Sequence, residues 1–207
     1  MNLAIIGAGG HAKEVYSSYT KSDLKNKYNF SGFFIDTDIF NQLLFDYKVQ
    51  KITELNPLDH ILHIAIGDIK TRKKLYFQFK ELGFNFLSII DSKSIIDPNT
   101  KLGESSFVGP NATINIDCEI GVSNIINSGV IISHETNIGN FNNISPGVII
   151  CGNVKIGNNN FIGAGTIIKE KVDINNSIIL GMGSIVLNNI IPSGTYIIKS
   201  NNIDKIK

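Results

Sequence analysis

From Ile90 to Val186 every sixth residue is Ile, Leu or Val: Ile90, Ile96, Leu102, Val108, Ile114, Ile120, Ile126, Ile132, Ile138, Ile144, Ile150, Ile156, Ile162, Ile168, Ile174, Leu180 and Val186. If those three types fill about a third of positions at random, so many successive hits have odds on the order of 10⁻⁸. The residue after the anchor is often glycine (Gly103, Gly109, Gly121, Gly139, Gly157, Gly163, Gly181), and the fourth after it is often small or β-branched (Ala112, Val130, Thr136, Val148, Val154, Thr166, Ser184). An amphipathic helix would repeat every 3.6 residues and would be weakened by so many Gly, Asn and β-branched residues. A short strand plus a turn instead makes one side of a triangular prism, and three such sides close one coil. Residues one coil apart then stack at about the 4.8 Å inter-strand spacing, which places Ile126, Ile144, Ile162 and Leu180 in one interior column. Such a column tolerates no insertion, and none occurs.

Residues 1–88 lack this beat and read as alternating strands and helices. Leu3-Ala4-Ile5-Ile6 is a buried strand that runs into Gly7-Ala8-Gly9-Gly10-His11-Ala12, after which a helix begins. The pattern G-x-G-x-x-A lets backbone turn tightly and approach a diphosphate at a helix N-terminus; a purely structural glycine turn is the competing reading. A second strand, Phe30 to Ile35, ends at Asp36, where a carboxylate meets ribose or base, or merely closes a turn. A third, Ile61 to Ile66, ends at Gly67-Asp68 and leads into the basic helix Lys70-Thr71-Arg72-Lys73-Lys74, read either as a phosphate-binding face or as a solvated one. Three strand ends converge on one crevice, the place where open parallel sheets bind ligands. The segment supplies only one mononucleotide-binding half, so a nucleotide-sugar suits it better than a dinucleotide. The expected substrate contacts are Gly7, Gly9, Gly10, His11, Asp36, Gly67, Asp68 and Arg72. His11 is assigned equally to a phosphate contact or to solvent, and His60 and His63 to satisfied core or edge positions.

The repeat region holds a single histidine, His134, two residues after an anchor and therefore on the outside. One coil later the stacked position is Gly152, which leaves the imidazole beneath a bare backbone amide. Acyl transfer from a thioester needs a base for the incoming nucleophile and a donor for the developing oxyanion. Imidazole titrates near neutrality and suits the first role, with the adjacent Glu135 to orient it; the Gly152 N–H suits the second.

These segments together resemble the family of sialic acid O-acetyltransferases and nucleotide-amino-sugar N-acetyltransferases (NeuD/PglD-like). The resemblance is carried by Ile5-Ile6-Gly7-Ala8-Gly9-Gly10-His11, by Ile64-Ala65-Ile66-Gly67-Asp68-Ile69-Lys70-Thr71-Arg72-Lys73-Lys74, and by Ser133-His134-Glu135 before Ile138-Gly139. It implies an α/β half-Rossmann domain at 1–88, a left-handed parallel β-helix of hexapeptide repeats at 89–192, and a C-terminal tail at 193–207. It further implies acetyl-CoA as co-substrate, a homotrimer with acetyl-CoA between neighbouring subunits, and a nucleotide-linked amino sugar in the N-terminal crevice. Carried over by position, His134 is the general base, Glu135 its partner, Asn127 a polar contact of the substrate and Gly152 the oxyanion donor, while Gly163, Ala164, Gly181 and Met182 line the pantetheine path. Two positions depart from the pattern. Asn143 stands where some relatives have a second histidine, and can hydrogen-bond a thioester carbonyl or pantetheine amide but cannot titrate near neutral pH. The proline-containing end of the repeat is replaced by Ile197-Ile198-Lys199-Ser200-Asn201-Asn202.

N-acetylation of a 4-amino-type sugar for a surface glycan is the leading expectation, with O-acetylation of a sialic-type sugar and a non-catalytic sugar-nucleotide-binding protein as alternatives. A zinc hydratase would need three histidines in the repeat, so no metal is expected. A formal net charge of +1 does not suit a nucleic-acid partner. No apolar run is long enough to span a bilayer, and Cys118 and Cys151 have no metal or redox spacing, which together suggest a cytoplasmic chain.

Overall fold

The anchors do face inward. In the computed structural model, which describes residues 1–36 and 43–196, short strands form three parallel sheets around one apolar interior. A first face stacks Ile89–Ile90, Phe107–Val108, Ile125–Ile126, Asn143–Ile144, Phe161–Ile162, Ile178–Leu180 and Gly194–Tyr196. A second stacks Ile95–Ile96, Thr113–Ile114, Ile131–Ile132, Ile149–Ile150, Ile167–Ile168 and Ile185–Val186; a third stacks Lys101–Leu102, Glu119–Ile120, Asn137–Ile138, Lys155–Ile156 and Asp173–Ile174. Across each ladder the partners are one coil apart, as Ile126 opposite Ile144. Every anchor from Val108 to Val186 is buried, and each such side chain contributes roughly 1.5–3 kcal/mol on leaving water. The expected tail begins by adding Gly194–Tyr196 to the first face beside Ile178–Leu180. The atypical stretch Ile197–Asn202 lies outside the described residues.

The corners follow a rule that the anchor pattern did not reveal. At every corner from Ser105 to Gly183, the third residue after the anchor has positive φ, between 54° and 69°. Gly, Asn and Asp tolerate that region best, and most of these corners are Gly, Asn, Asp or Ser. Glu135, Phe141 and Lys171 are the exceptions. Along the edge between the third and first faces, a buried polar column threads the apolar interior. The Asn124 side chain accepts from the Asn142 N–H, Asn142 from that of Asn160, and Asn160 from that of Ile178; below them Ser106 accepts from the Asn124 N–H and Ser88 from that of Ser106.

In the N-terminal domain β1 (Asn2–Ile6) leads to α1 (Gly10–Lys21) and β2 (Asn29–Ile35). A small hairpin of β3 (Leu43–Leu44) and β4 (Tyr47–Lys48) precedes β5 (Gln50–Lys51), β6 (His60–Ile64), α2 (Ile69–Glu81) and β7 (Asn85–Phe86). The sheet is parallel with order β5-β2-β1-β6-β7, so strand order reverses between β1 and β6. Leu3, Ile5, Ala12, Val15 and Phe33 pack on the solenoid residues Ile89, Phe107 and Ile125. On the other side α2 rests against the solenoid through Tyr76, which stacks edge-on with Phe141 at 5.4 Å and donates to Glu104 at 2.7 Å.

The three faces of the prism therefore differ outwardly. The lower first face lies beneath the N-terminal domain, with Ile89, Phe107, Ile125 and Asn143 buried. The third presents Lys101, Glu119, Asn137, Lys155 and Asp173 to solvent. The second presents a column of isoleucines, of which Ile95, Ile131, Ile167 and Ile185 are 67%, 40%, 40% and 46% exposed.

His63 is buried between the domains; its Nδ1–H donates to the Leu87 carbonyl, and burial pushes its pKa down to about 3. Its folded pKa lies below the unfolded value, so its contribution to stability is complete above pH 6.5 and is lost as the unfolded chain takes up a proton below it. Urea denaturation should show a loss of roughly 2 kcal/mol between pH 7 and pH 5, a loss reduced in His63→Gln. At the corner with φ 60°, Lys171→Asn should raise stability by about 0.5–1 kcal/mol, read as a higher melting temperature.

Candidate active site

Four groups of residues carry the expected chemistry, and the fold sets them at distinct places. The first is a crevice of about 710 Å³ at the reversal of strand order, walled by the ends of β1, β2 and β6. Gly7, Gly9, Gly10, His11, Asp36 and Gly67 all line it, joined by Thr71 and Leu75 of α2. The N-terminus of α1 opens here with no side-chain cap and no acidic residue in its first turn, which leaves its N–H groups for an anion. A Cβ at Gly9 or Gly10 would meet nothing within 4 Å, so the bare backbone faces open space. Gly7 is glycine for another reason: its φ is +121° and a Cβ would lie 2.7 Å from the Ala65 carbonyl oxygen of the adjoining strand end. His11 lines the crevice with its ring edge-on against Phe107 at 5.1 Å, its Nδ1 3.4 Å from the Glu14 carboxylate and its Nε2 buried without a protein partner.

The second group is a cleft of about 630 Å³ that meets the crevice at Gly67. Asp68 caps α2 by accepting from the Thr71 N–H at 2.8 Å, and its hydrogen bonds with Thr71 hold its carboxyl below the usual range. Lys70 and Lys73 stand on one wall, and Asn143, Phe161 and Ile179 on the other. Phe161 and Ile179 escaped the sequence reading. The available signal was their slot, one residue before an anchor on the outward side, filled by a large apolar residue above the level the N-terminal domain covers.

Arg72 corrects an expectation. Its position in a basic helix suggested a substrate contact, but the side chain is fully buried and turns away from solvent into the joint between domains. It donates to Ser123, Ile66, Gly67 and Phe141 carbonyls and to Asn143 Oδ1, so no N–H is left for a ligand. Helical spacing is the cause: Arg72 shares the inward face of α2 with Leu75, Tyr76 and Phe79.

The third group stands on the edge between the second and third faces. His134 and Glu135 have side chains 58% and 60% exposed, with Nδ1 3.0 Å from the carboxylate. An Nδ1–H donated to Glu135 leaves the lone pair on Nε2. Gly152 lies directly above, where a Cβ would be 2.7 Å from both Cε1 and Nε2; any other residue would displace the ring. Among the described residues, no backbone acceptor receives the Gly152 N–H. Glu135 sits at φ 56°, a conformation that disfavours glutamate and that directs its carboxylate back onto its neighbour's ring.

The fourth group occupies the edge between the first and second faces. Asn127 donates to the Ile144 carbonyl at 3.0 Å, and Gly163, Ala164, Gly181 and Met182 follow on higher coils, with Met182 81% exposed. Two to three coils at the sheet spacing span roughly 10–14 Å, comparable with a pantetheine arm. Gly163 also serves packing, since a Cβ there would press on the Gly181 backbone at 2.6 Å. Within one chain the width of the second face separates this edge from His134.

The PglD N-terminal domain model matches residues 2–79, and the model for bacterial transferase hexapeptide (six repeats) matches residues 135–170. No curated protein sequence matches the chain. Among solved structures, PerB from Caulobacter crescentus, crystallised with CoA and GDP-perosamine, is 27% identical with a TM-score of 0.85, over 95% of this chain and 94% of that one. WeeI from Acinetobacter baumannii AYE is 25% identical with a TM-score of 0.85, over 94% of this chain and 95% of that one. The acetyltransferase domain of PglB from Neisseria gonorrhoeae FA1090 shares the fold, with a TM-score of 0.87 at 23% identity over 95% of this chain and 96% of that one. A PglD-type N-terminal domain joined to hexapeptide coils, in the order and extent of these solved structures, makes the chain similar along nearly its whole length to the hexapeptide-repeat sugar acetyltransferases of the NeuD/PglD type.

Proposed function

We propose that the protein transfers the acetyl group of acetyl-CoA to the amino group of a nucleotide-linked amino sugar, with His134 as general base. The observation that carries this reading is the imidazole seated under the Gly152 amide, Nδ1 against Glu135 and Nε2 open. The His134 Nε2 takes the proton as the sugar nitrogen forms its bond to the thioester carbonyl carbon, and the Gly152 N–H receives the oxyanion. Collapse breaks the carbon–sulfur bond, and the imidazolium returns its proton to the departing thiolate. Glu135 stabilises the charged ring in between. The N-terminal crevice holds the nucleotide, its diphosphate at the open start of α1, and the cleft beyond Gly67 is where the sugar amine and the acyl end of acetyl-CoA meet.

The same reading assigns a partner to the isoleucine column. Three copies around an axis parallel to the stacking direction of the coils bury it, and such head-to-tail contact sets the His134 edge of one copy beside the Asn127 edge of the next. A two-fold pairing across the coils would join like edges and leave base and pantetheine path apart. The trimer thereby unites what one chain separates. No helix among the described residues is long and apolar enough to cross a membrane, and we place the enzyme in the cytoplasm with its acetyl-CoA.

Release of free thiol should follow when purified protein meets acetyl-CoA and one of a panel of UDP-, dTDP- and GDP-linked 4-amino sugars; silence across the panel and with sialic acids would remove the enzymatic claim. His134→Ala should lower kcat by about 10² to 10⁴-fold with the oligomer intact, and an unchanged rate would show the base to be misassigned. Ile131→Lys combined with Ile167→Lys should convert the trimer to monomer in sedimentation velocity and abolish turnover.

A further inference from the structure

Arg72 is a cation buried among neutral oxygens. Nε donates to the Ser123 carbonyl at 3.1 Å, Nη1 to the Ile66 and Gly67 carbonyls at 2.7 and 3.1 Å, and Nη2 to the Phe141 carbonyl at 3.3 Å and to Asn143 Oδ1 at 2.6 Å. All five donors are engaged, and none meets a carboxylate. Asp68 at the start of α2 attracts the guanidinium through space but accepts none of its hydrogen bonds; burying a charge with no carboxylate in contact is unfavourable, and an apolar side chain would fill a helix–solenoid contact more simply. What the guanidinium adds is orientation.

Three of its five contacts fall on two elements that shape the cleft. One is the turn at Ile66 and Gly67, where crevice and cleft meet. The other is the Asn143 carboxamide, whose oxygen accepts from Arg72 while one Nδ2–H donates to the Gly67 carbonyl at 2.7 Å. Rotating the amide by half a turn would set its NH₂ against a cation and its oxygen against a carbonyl, so a single orientation is allowed. The group left over is the second Nδ2–H, on a side chain that lines the cleft beside the exposed rings and methyls of Phe161 and Ile179. It is a fixed donor above an apolar floor.

We propose that Arg72 is a positioning residue for acyl transfer: it locks Asn143 as a one-way hydrogen-bond donor into the cleft, where the donor meets an acceptor oxygen of the bound acyl donor. This rests on the acetyl-transfer reading above and goes beyond it by assigning Arg72 a role exercised wholly through another side chain.

Asn143→Asp is the discriminating variant, because a carboxylate still accepts from Arg72 but turns an acceptor toward the cleft and toward the Gly67 carbonyl. The new ion pair with Arg72 offsets the repulsion at Gly67, so the variant should still melt cooperatively and keep its oligomeric state, and lose about tenfold or more in kcat with little change in KM for the nucleotide-sugar. Arg72→Lys, which cannot supply five donors, should lose kcat in the same way, and the double variant should be no worse than the poorer single one. Wild-type kcat in Asn143→Asp, or losses that multiply in the double variant, would overturn the proposal. If the wild-type protein acetylates no sugar in the panel, that outcome counts against the proposed reaction alone. Calorimetric titration with acetyl-CoA then decides the positioning role: about fivefold or greater weakening in Asn143→Asp supports it, and unchanged affinity refutes it.

Discussion

Closure of the chain every eighteen residues is the constraint on which everything else rests. Once the anchors are packed inside, each outward residue has an address given by face and coil, and its neighbours above and below are known. The imidazole at position 134 finds a glycine overhead because 152 is one coil later. The same arithmetic gathers an apolar column on one face and leaves charges on another. Function in such a fold depends less on where the backbone goes than on which of three equivalent sides a residue occupies.

The second determinant is the joint between the two domains. The crevice belongs to the N-terminal domain and the cleft to both domains, while the exposed imidazole of His134 stands on the solenoid. The relative placement of the two domains is set by the packing of Ile89, Phe107 and Ile125 under the sheet and by Arg72, Tyr76 and Phe141 at α2. Phe141 adopts a backbone conformation that disfavours it, and the aromatic contacts with α2 offset that strain. Glu135 accepts the same penalty beside His134, whose ring its carboxylate meets.

Much of this is legible in the sequence. The six-residue period determines the solenoid, and the glycine turn after Ile6 determines the crevice, because each depends on local backbone chemistry at fixed spacing. What escaped depends on contacts between distant segments. A lysine- and arginine-rich helix start looks solvated when read linearly, and only the packing of α2 on the solenoid turns Arg72 inward while Lys70 and Lys73 remain at the cleft. His11 is ambiguous in sequence for the same reason, since Phe107 lies far along the chain. The isoleucines on the second face were visible as letters, but a linear reading gives no sign that this face, unlike the first, lies bare.

The polar column through Ser88, Ser106, Asn124, Asn142 and Asn160 has a consequence for how the chain finds its native arrangement. Nearly identical coils create a degeneracy: sliding one block of the prism past another by a whole turn would keep every isoleucine against an isoleucine. The column breaks that symmetry, since it changes from serine to asparagine at Asn124 and stops where Ile178 replaces the next amide. In the native stack only the last amide of the column, Asn160 Nδ2, is buried without a partner; a misthreaded solenoid would strand more of them. The asparagines thus serve as a ruler inside an otherwise unmarked stack, and help ensure that the imidazole and its glycine end up on adjoining turns.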